Sequence, residues 1–153
     1  MKAIVRTIIG AAAVAGFAVA GTAQTAPPKN LNLSKESKLW IDGTSTVKSF
    51  SCSASKVDVS VLAEPGAPAS DLVQSASLVV PVASLDCRNG TMNGHMQKAL
   101  KASANPNIMW KLSSYRVEGT NVLMSGLLSI AGKENPIEFR ATGVADANGT
   151  IRV

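Results

Sequence analysis

From Leu39 onward the chain falls into short runs rich in β-branched residues, broken at intervals by Gly, Asn, Asp and Pro. Leu39 to Thr44, Val47 to Ser53, Lys56 to Leu62, Ala76 to Val82, Asn107 to Val117, Asn121 to Ala131 and Pro136 to Val144 read as strands. A polar loop, Ala63-Glu64-Pro65-Gly66-Ala67-Pro68-Ala69, separates the third from the fourth. Strands at this spacing with polar turns between them predict an antiparallel sandwich or barrel. Pro81 cannot donate to a ladder and predicts an edge or a bulge for its strand.

Several of these strands have two unlike sides. Ile108, Trp110 and Leu112 share one face, and Met109, Lys111 and Ser113 share the other. Leu128 and Ile130 are opposed by Ser129, and Ile137 and Phe139 by Glu138 and Arg140. In a filled sandwich the apolar side is core. In a barrel of about eight strands the same side can line a space for one ligand. Alternation alone does not separate the two. One segment breaks the period of two: over Thr91 to Ala102, Met92, Met96, Ala99 and Leu100 fall on one helical face. Thr91 or Asn93 can cap this short amphipathic helix, and Asn105-Pro106 stops it.

The N-terminus changes the picture of compartment. Lys2 and Arg6 precede an apolar run from Ile8 to Ala20, and small residues cluster up to Ala23. This is the layout of a secretory signal peptide, with cleavage after Ala23 or Ala20. The run is shorter than the roughly 20 apolar residues of a membrane span, so no integral span is expected in the mature form. The expected organisation is a signal peptide over 1–23, a polar, Pro-containing linker over 24–37, and one β domain over 38–153. The expected localisation is periplasmic or secreted.

Composition narrows the function classes. Fifteen Lys plus Arg stand against ten Asp plus Glu, for a net charge of +5, and two of those bases lie in the signal segment. The remaining bases are scattered (among them Lys35, Lys38, Lys48, Lys56, Lys98, Lys101, Lys111 and Lys133), with no basic run interleaved with aromatics. Nothing marks a nucleic-acid surface. Two cysteines are present, Cys52 and Cys87. In an oxidising compartment the simplest reading is a disulfide, and a reactive thiol or metal pair is the alternative. No Cys-x-x-Cys motif adjoins either residue. The sole histidine, His95, has no nucleophile and acid in an identifiable pattern with it, so no enzyme is expected.

Three stretches carry a family resemblance. Leu39-Trp40-Ile41-Asp42-Gly43-Thr44-Ser45 resembles the opening strand of the YceI-like family. Ser84-Leu85-Asp86-Cys87, Met92-Asn93, Met96 to Leu100 and Asn105-Pro106-Asn107-Ile108 resemble its central stretch. Ser125 to Lys133 resembles its G-x-L-T-I-x-G signature, with Ser129 where Thr is usual. The resemblance runs in order from about Ser37 to Gly143. It implies a lipocalin-like antiparallel β-barrel holding a long apolar chain, a polyisoprenoid or isoprenoid quinone, and no other cofactor. On face assignments from alternation, the expected cavity lining is Phe50, Val80, Ile108, Trp110, Leu128, Ile130, Ile137 and Phe139, with Met96 near the mouth.

The C-terminus departs from the family pattern. Asn148-Gly149 between strand formers predicts a hairpin turn, and only a short returning strand follows. The expectation is an incompletely closed barrel whose open edge permits self-association. Two rival functions follow from these features. One is a structural or adhesive β-subunit that accepts a donor strand. The other is copper handling through Met92, His95 and Met96, whose thioethers and imidazole suit that metal.

Overall fold

The computed structural model describes residues 27–44, 49–145 and 151–152. The expected signal peptide and the Asn148-Gly149 turn lie outside the described residues. In chain order come β1 (Lys29–Leu31), β2 (Trp40–Thr44), β3 (Ser49–Ala54), β4 (Asp58–Ala63) and β5 (Val73–Pro81). A 3-10 turn (Val82–Ser84) leads to β6 (Leu85–Asp86) and the helix α1 (Gly90–Ala99), the one α-helix among the described residues. β7 (Asn107–Glu118), β8 (Asn121–Ile130) and β9 (Lys133–Thr142) follow, then the short β10 (Val144–Ala145) and β11 (Ile151–Arg152).

The protein is therefore mainly β, and every ladder among the described residues is antiparallel. Six strands form one sheet in the order β1-β4-β5-β7-β8-β9. β2, β3 and β6 form a second, and β10 pairs with β11. Among the described residues no ladder joins β9 back to β1, so the strands make an open sheet, not a sealed barrel.

Local chemistry explains the long β7-β8-β9 meander. A two-residue turn needs positive φ at its centre, and Ala131 and Gly132 supply φ of 53° and 78°. Ile130 then pairs with Lys133, which sets the β8–β9 register. Pro136 lies in β9, whose only ladder among the described residues is to β8, where a missing backbone donor is tolerated.

Register also decides which side chains share a face, because directly opposed residues point the same way. Val80 opposes Ile108, Leu78 opposes Trp110, and Trp110 opposes Leu128. Gly126 opposes both Leu112 and Ile137, and Met124 opposes Phe139. With the strand period of two, these residues form one largely apolar face, the inner face, on which Asn135 and Lys133 of β9 are the polar members opposite Leu128 and Ile130. Leu31, Val61, Val59 and Leu78 extend it across β1, β4 and β5. The opposite face carries Met109, Lys111 and Leu127, all exposed.

Three expectations need correction. The segment read as a linker contains β1, which pairs with β4 through Lys29–Ala63 and Leu31–Val61. A three-residue strand is held by backbone hydrogen bonds, which a polar sequence does not prevent. β5 is not an edge: it lies between β4 and β7. Pro81 is compatible with that position because it forms the last rung, opposite Asn107, and the next residue, Val82, donates its N–H to the Pro106 carbonyl at 2.8 Å. Finally, α1 is capped by Asn89, not by Thr91 or Asn93: its Oδ1 accepts from the Met92 N–H at 3.0 Å.

Candidate functional site

A cleft of about 450 Å³ opens where α1, the three-stranded sheet and one end of the six-stranded sheet meet. Ile41 of β2 and Phe50 and Cys52 of β3 form one wall. Met92, His95, Met96 and Ala99 of α1, with Leu100 beyond its end, form the second. Ile108 of β7 and Ile130 of β8 form the floor, and Cys87 lies at the junction. The lining is apolar apart from His95, which is exposed. The four apolar residues expected on one helical face thus all border the cleft.

The first wall is fixed covalently to the junction that leads into the second. Cys52 and Cys87 form a disulfide, and the Cys87 sulfur lies 3.9 Å from that of Met96. A polar knot beside the bridge holds the start of α1. The Cys87 N–H donates to Asn93 Oδ1 (2.8 Å), and Asn93 Nδ2 donates to Asp86 Oδ1 (2.9 Å). The Arg88 N–H also donates to Asp86 Oδ1 (2.9 Å). These bonds favour the charged carboxylate: the Asn93 amide first, then the Arg88 N–H, hold Asp86 below the usual carboxylate value of 3.8.

Phe50 reaches the cleft by crossing its own ladder. It opposes Gly43, and its ring lies where a side chain at Gly43 would otherwise stand. The same ring borders a second hollow of about 550 Å³ with Asp42, Thr44 and Ser49 at the Thr44–Ser49 end of the β2–β3 ladder.

Of the lining expected from sequence, the structure brings Phe50, Met96, Ile108 and Ile130 together in the cleft. Val80, Trp110, Leu128, Ile137 and Phe139 do not line it. They lie on the inner face that continues from the Ile108–Ile130 floor. Val80 is fully buried and Trp110 is 9% exposed, while Phe139 is 39% exposed. The Trp110 and Phe139 rings pack at 5.2 Å between centroids, tilted by 59°. The Trp110 indole lies directly over Gly126, and its Nε1 is buried with no hydrogen-bond partner. Sequence reasoning did not place Ile41 in the cleft. Its alternation with Trp40 in β2 was the available signal.

Met92, His95 and Met96 all face the cleft. Among the described residues no group of three or more His, Cys, Asp or Glu is placed to hold a metal ion. Among the same residues no helix is long and apolar enough to cross a membrane.

An antiparallel sheet with one apolar inner face and a helix beside a cleft at its end defines a lipocalin-like β protein. The family model for the YceI-like domain matches residues 32–153, and the chain belongs to the YceI-like family. Among solved structures it is similar to the Campylobacter jejuni YceI protein, at 22% identity and a TM-score of 0.55, covering 71% of this chain and 64% of that one. It is similar also to BcnA of Burkholderia cenocepacia, at 20% identity and a TM-score of 0.59, covering 71% of this chain and 67% of that one. The chain thus spans just under two thirds of the length of the Campylobacter protein. No curated protein matches the sequence.

Proposed function

We propose that this is an exported, non-catalytic binding protein that holds a long apolar chain, of the polyisoprenoid or isoprenoid-quinone type. One observation carries the reading: the cleft floor, Ile108 and Ile130, runs without a polar break into the Trp110–Leu128 row of the inner face. A flexible chain laid along that surface leaves water at about 25 cal/mol per Å² of apolar area covered. Such sites need only a few polar groups to orient the ligand. The ligand is the only small molecule the function requires, with no cofactor and no nucleic acid. The Cys52–Cys87 disulfide supports export, since such bridges persist in oxidising compartments.

Native mass spectrometry of protein purified from a periplasmic extract, followed by organic extraction, tests this. A co-purifying isoprenoid is the expected result. A bound copper ion would move the function to Met92, His95 and Met96, and a stoichiometric protein partner would move it to the strand edges. Either finding without a lipid would overturn the proposal.

A further inference from the structure

Among the described residues, all buried side-chain N and O atoms but one have hydrogen-bond partners. Tyr115 shares the inner face with Met124, and its hydroxyl accepts from the Val73 N–H (2.9 Å) and donates to the Ala69 carbonyl (2.9 Å). Among the described residues the Trp110 Nε1 is the exception, a donor removed from solvent with no acceptor. Leaving such a group unmade costs about 1–3 kcal/mol, and native structures hold few of them. The indole edge also lies over the barest point of the sheet: a Cβ on Gly126 would stand 2.5 Å from Nε1.

We infer that the Trp110 indole N–H is a specificity determinant that donates to an oxygen on the apolar ligand. The inference rests on the binding reading above and adds what that reading lacks, the chemistry of the ligand's polar end and its direction. Gly126 is four residues along β8 from Ile130 in the cleft, roughly 14 Å at strand spacing. The ligand therefore lies with its oxygen, whether a quinone carbonyl or a prenol hydroxyl, beside the indole Nε1, which itself fills the space over Gly126, and with its chain running back to the cleft. The cover that must yield is Phe139, whose ring is already substantially exposed. A plain hydrocarbon would fill the same surface and leave the donor unmet.

The test compares geranylgeraniol with the same chain bearing hydrogen in place of the hydroxyl. Indole N–H resonances are read on the unsubstituted full chain, so the result stands even if a variant misfolds. The protein has two tryptophans, and Trp40 is an internal reference because its Nε1 already donates to Asp42 (3.1 Å). The alcohol should move the Trp110 N–H downfield and leave Trp40 in place, and the hydrocarbon should move neither in that way. Trp110→Phe should weaken the alcohol by roughly 3- to 10-fold and change the hydrocarbon by less than about twofold, as expected for one net hydrogen bond. If both ligands bind, an unmoved Trp110 N–H or an equal effect of Trp110→Phe on the two overturns this inference alone. If neither binds, the binding reading falls and takes the inference with it.

Discussion

Gly126 shows how a single position can hold a site in shape. It is buried, and a methyl group there would meet Trp110 Nε1 and the Lys111 carbonyl oxygen, both at 2.5 Å. The backbone oxygen cannot swing aside, so Gly126→Ala must shift the indole or the strand. We expect a loss of about 1–3 kcal/mol in chemical denaturation, the usual range for overpacking. An unchanged midpoint would show that the seat of Trp110 adapts. The glycine is legible in the sequence as part of the G-x-L-T-I-x-G resemblance, but its purpose is not. That purpose depends on Trp110 lying across the β7–β8 ladder, and the β7 bulge between Leu112 and Ser114 helps set where each cross-strand partner falls. Phe50 over Gly43 repeats the arrangement, again between residues that only register brings together.

At the scale of elements, long strands were readable and short ones were not. β7 alternates from Asn107 to Leu112 and β8 from Leu128 to Ile130, so the faces of those stretches follow from the pattern. The Leu112/Ser114 bulge and the apolar run Val122-Leu123-Met124 hide the rest. β1 and β6 have three and two residues, too few to show a period, and exist because neighbouring ladders supply partners. The face of α1 was readable from its spacing, whereas its cap was not, because the sequence offers Asn89, Thr91 and Asn93 within one turn. The cleft depends on how α1 is held against β3, and the Cys52–Cys87 bridge makes that link across a separation of 35 residues. Replacing both cysteines by serine should lower stability by about 2–4 kcal/mol on the chain-entropy scale. It should also speed amide exchange in α1 more than in β7 and β8, which have long ladders of their own. Uniform acceleration across the chain would mean that the bridge acts only on the unfolded state.

For the whole molecule, the sequence pattern left open whether the apolar strand faces were filled core or a lining. The structure divides them: Val80, Val82 and Leu85 are buried as core, and the Ile108–Ile130 end borders the cleft. That division depends on where α1 and the β2–β3–β6 sheet sit, which no local pattern encodes. The central claim is that a long apolar chain occupies this cleft and the face behind it. Met96 tests it most directly, since it borders the cleft from a helix and is only half-buried. A charge there obstructs an apolar ligand, because an unpaired buried charge is strongly disfavoured, yet it need not disturb the sheet. The measurement is an equilibrium titration of the protein and of Met96→Asp with a long-tailed isoprenoid quinone, with circular dichroism to confirm that both are folded. Saturable binding by the unsubstituted protein, weakened at least about tenfold in folded Met96→Asp, is the predicted result. No saturable binding, or equal binding by the two, would contradict it.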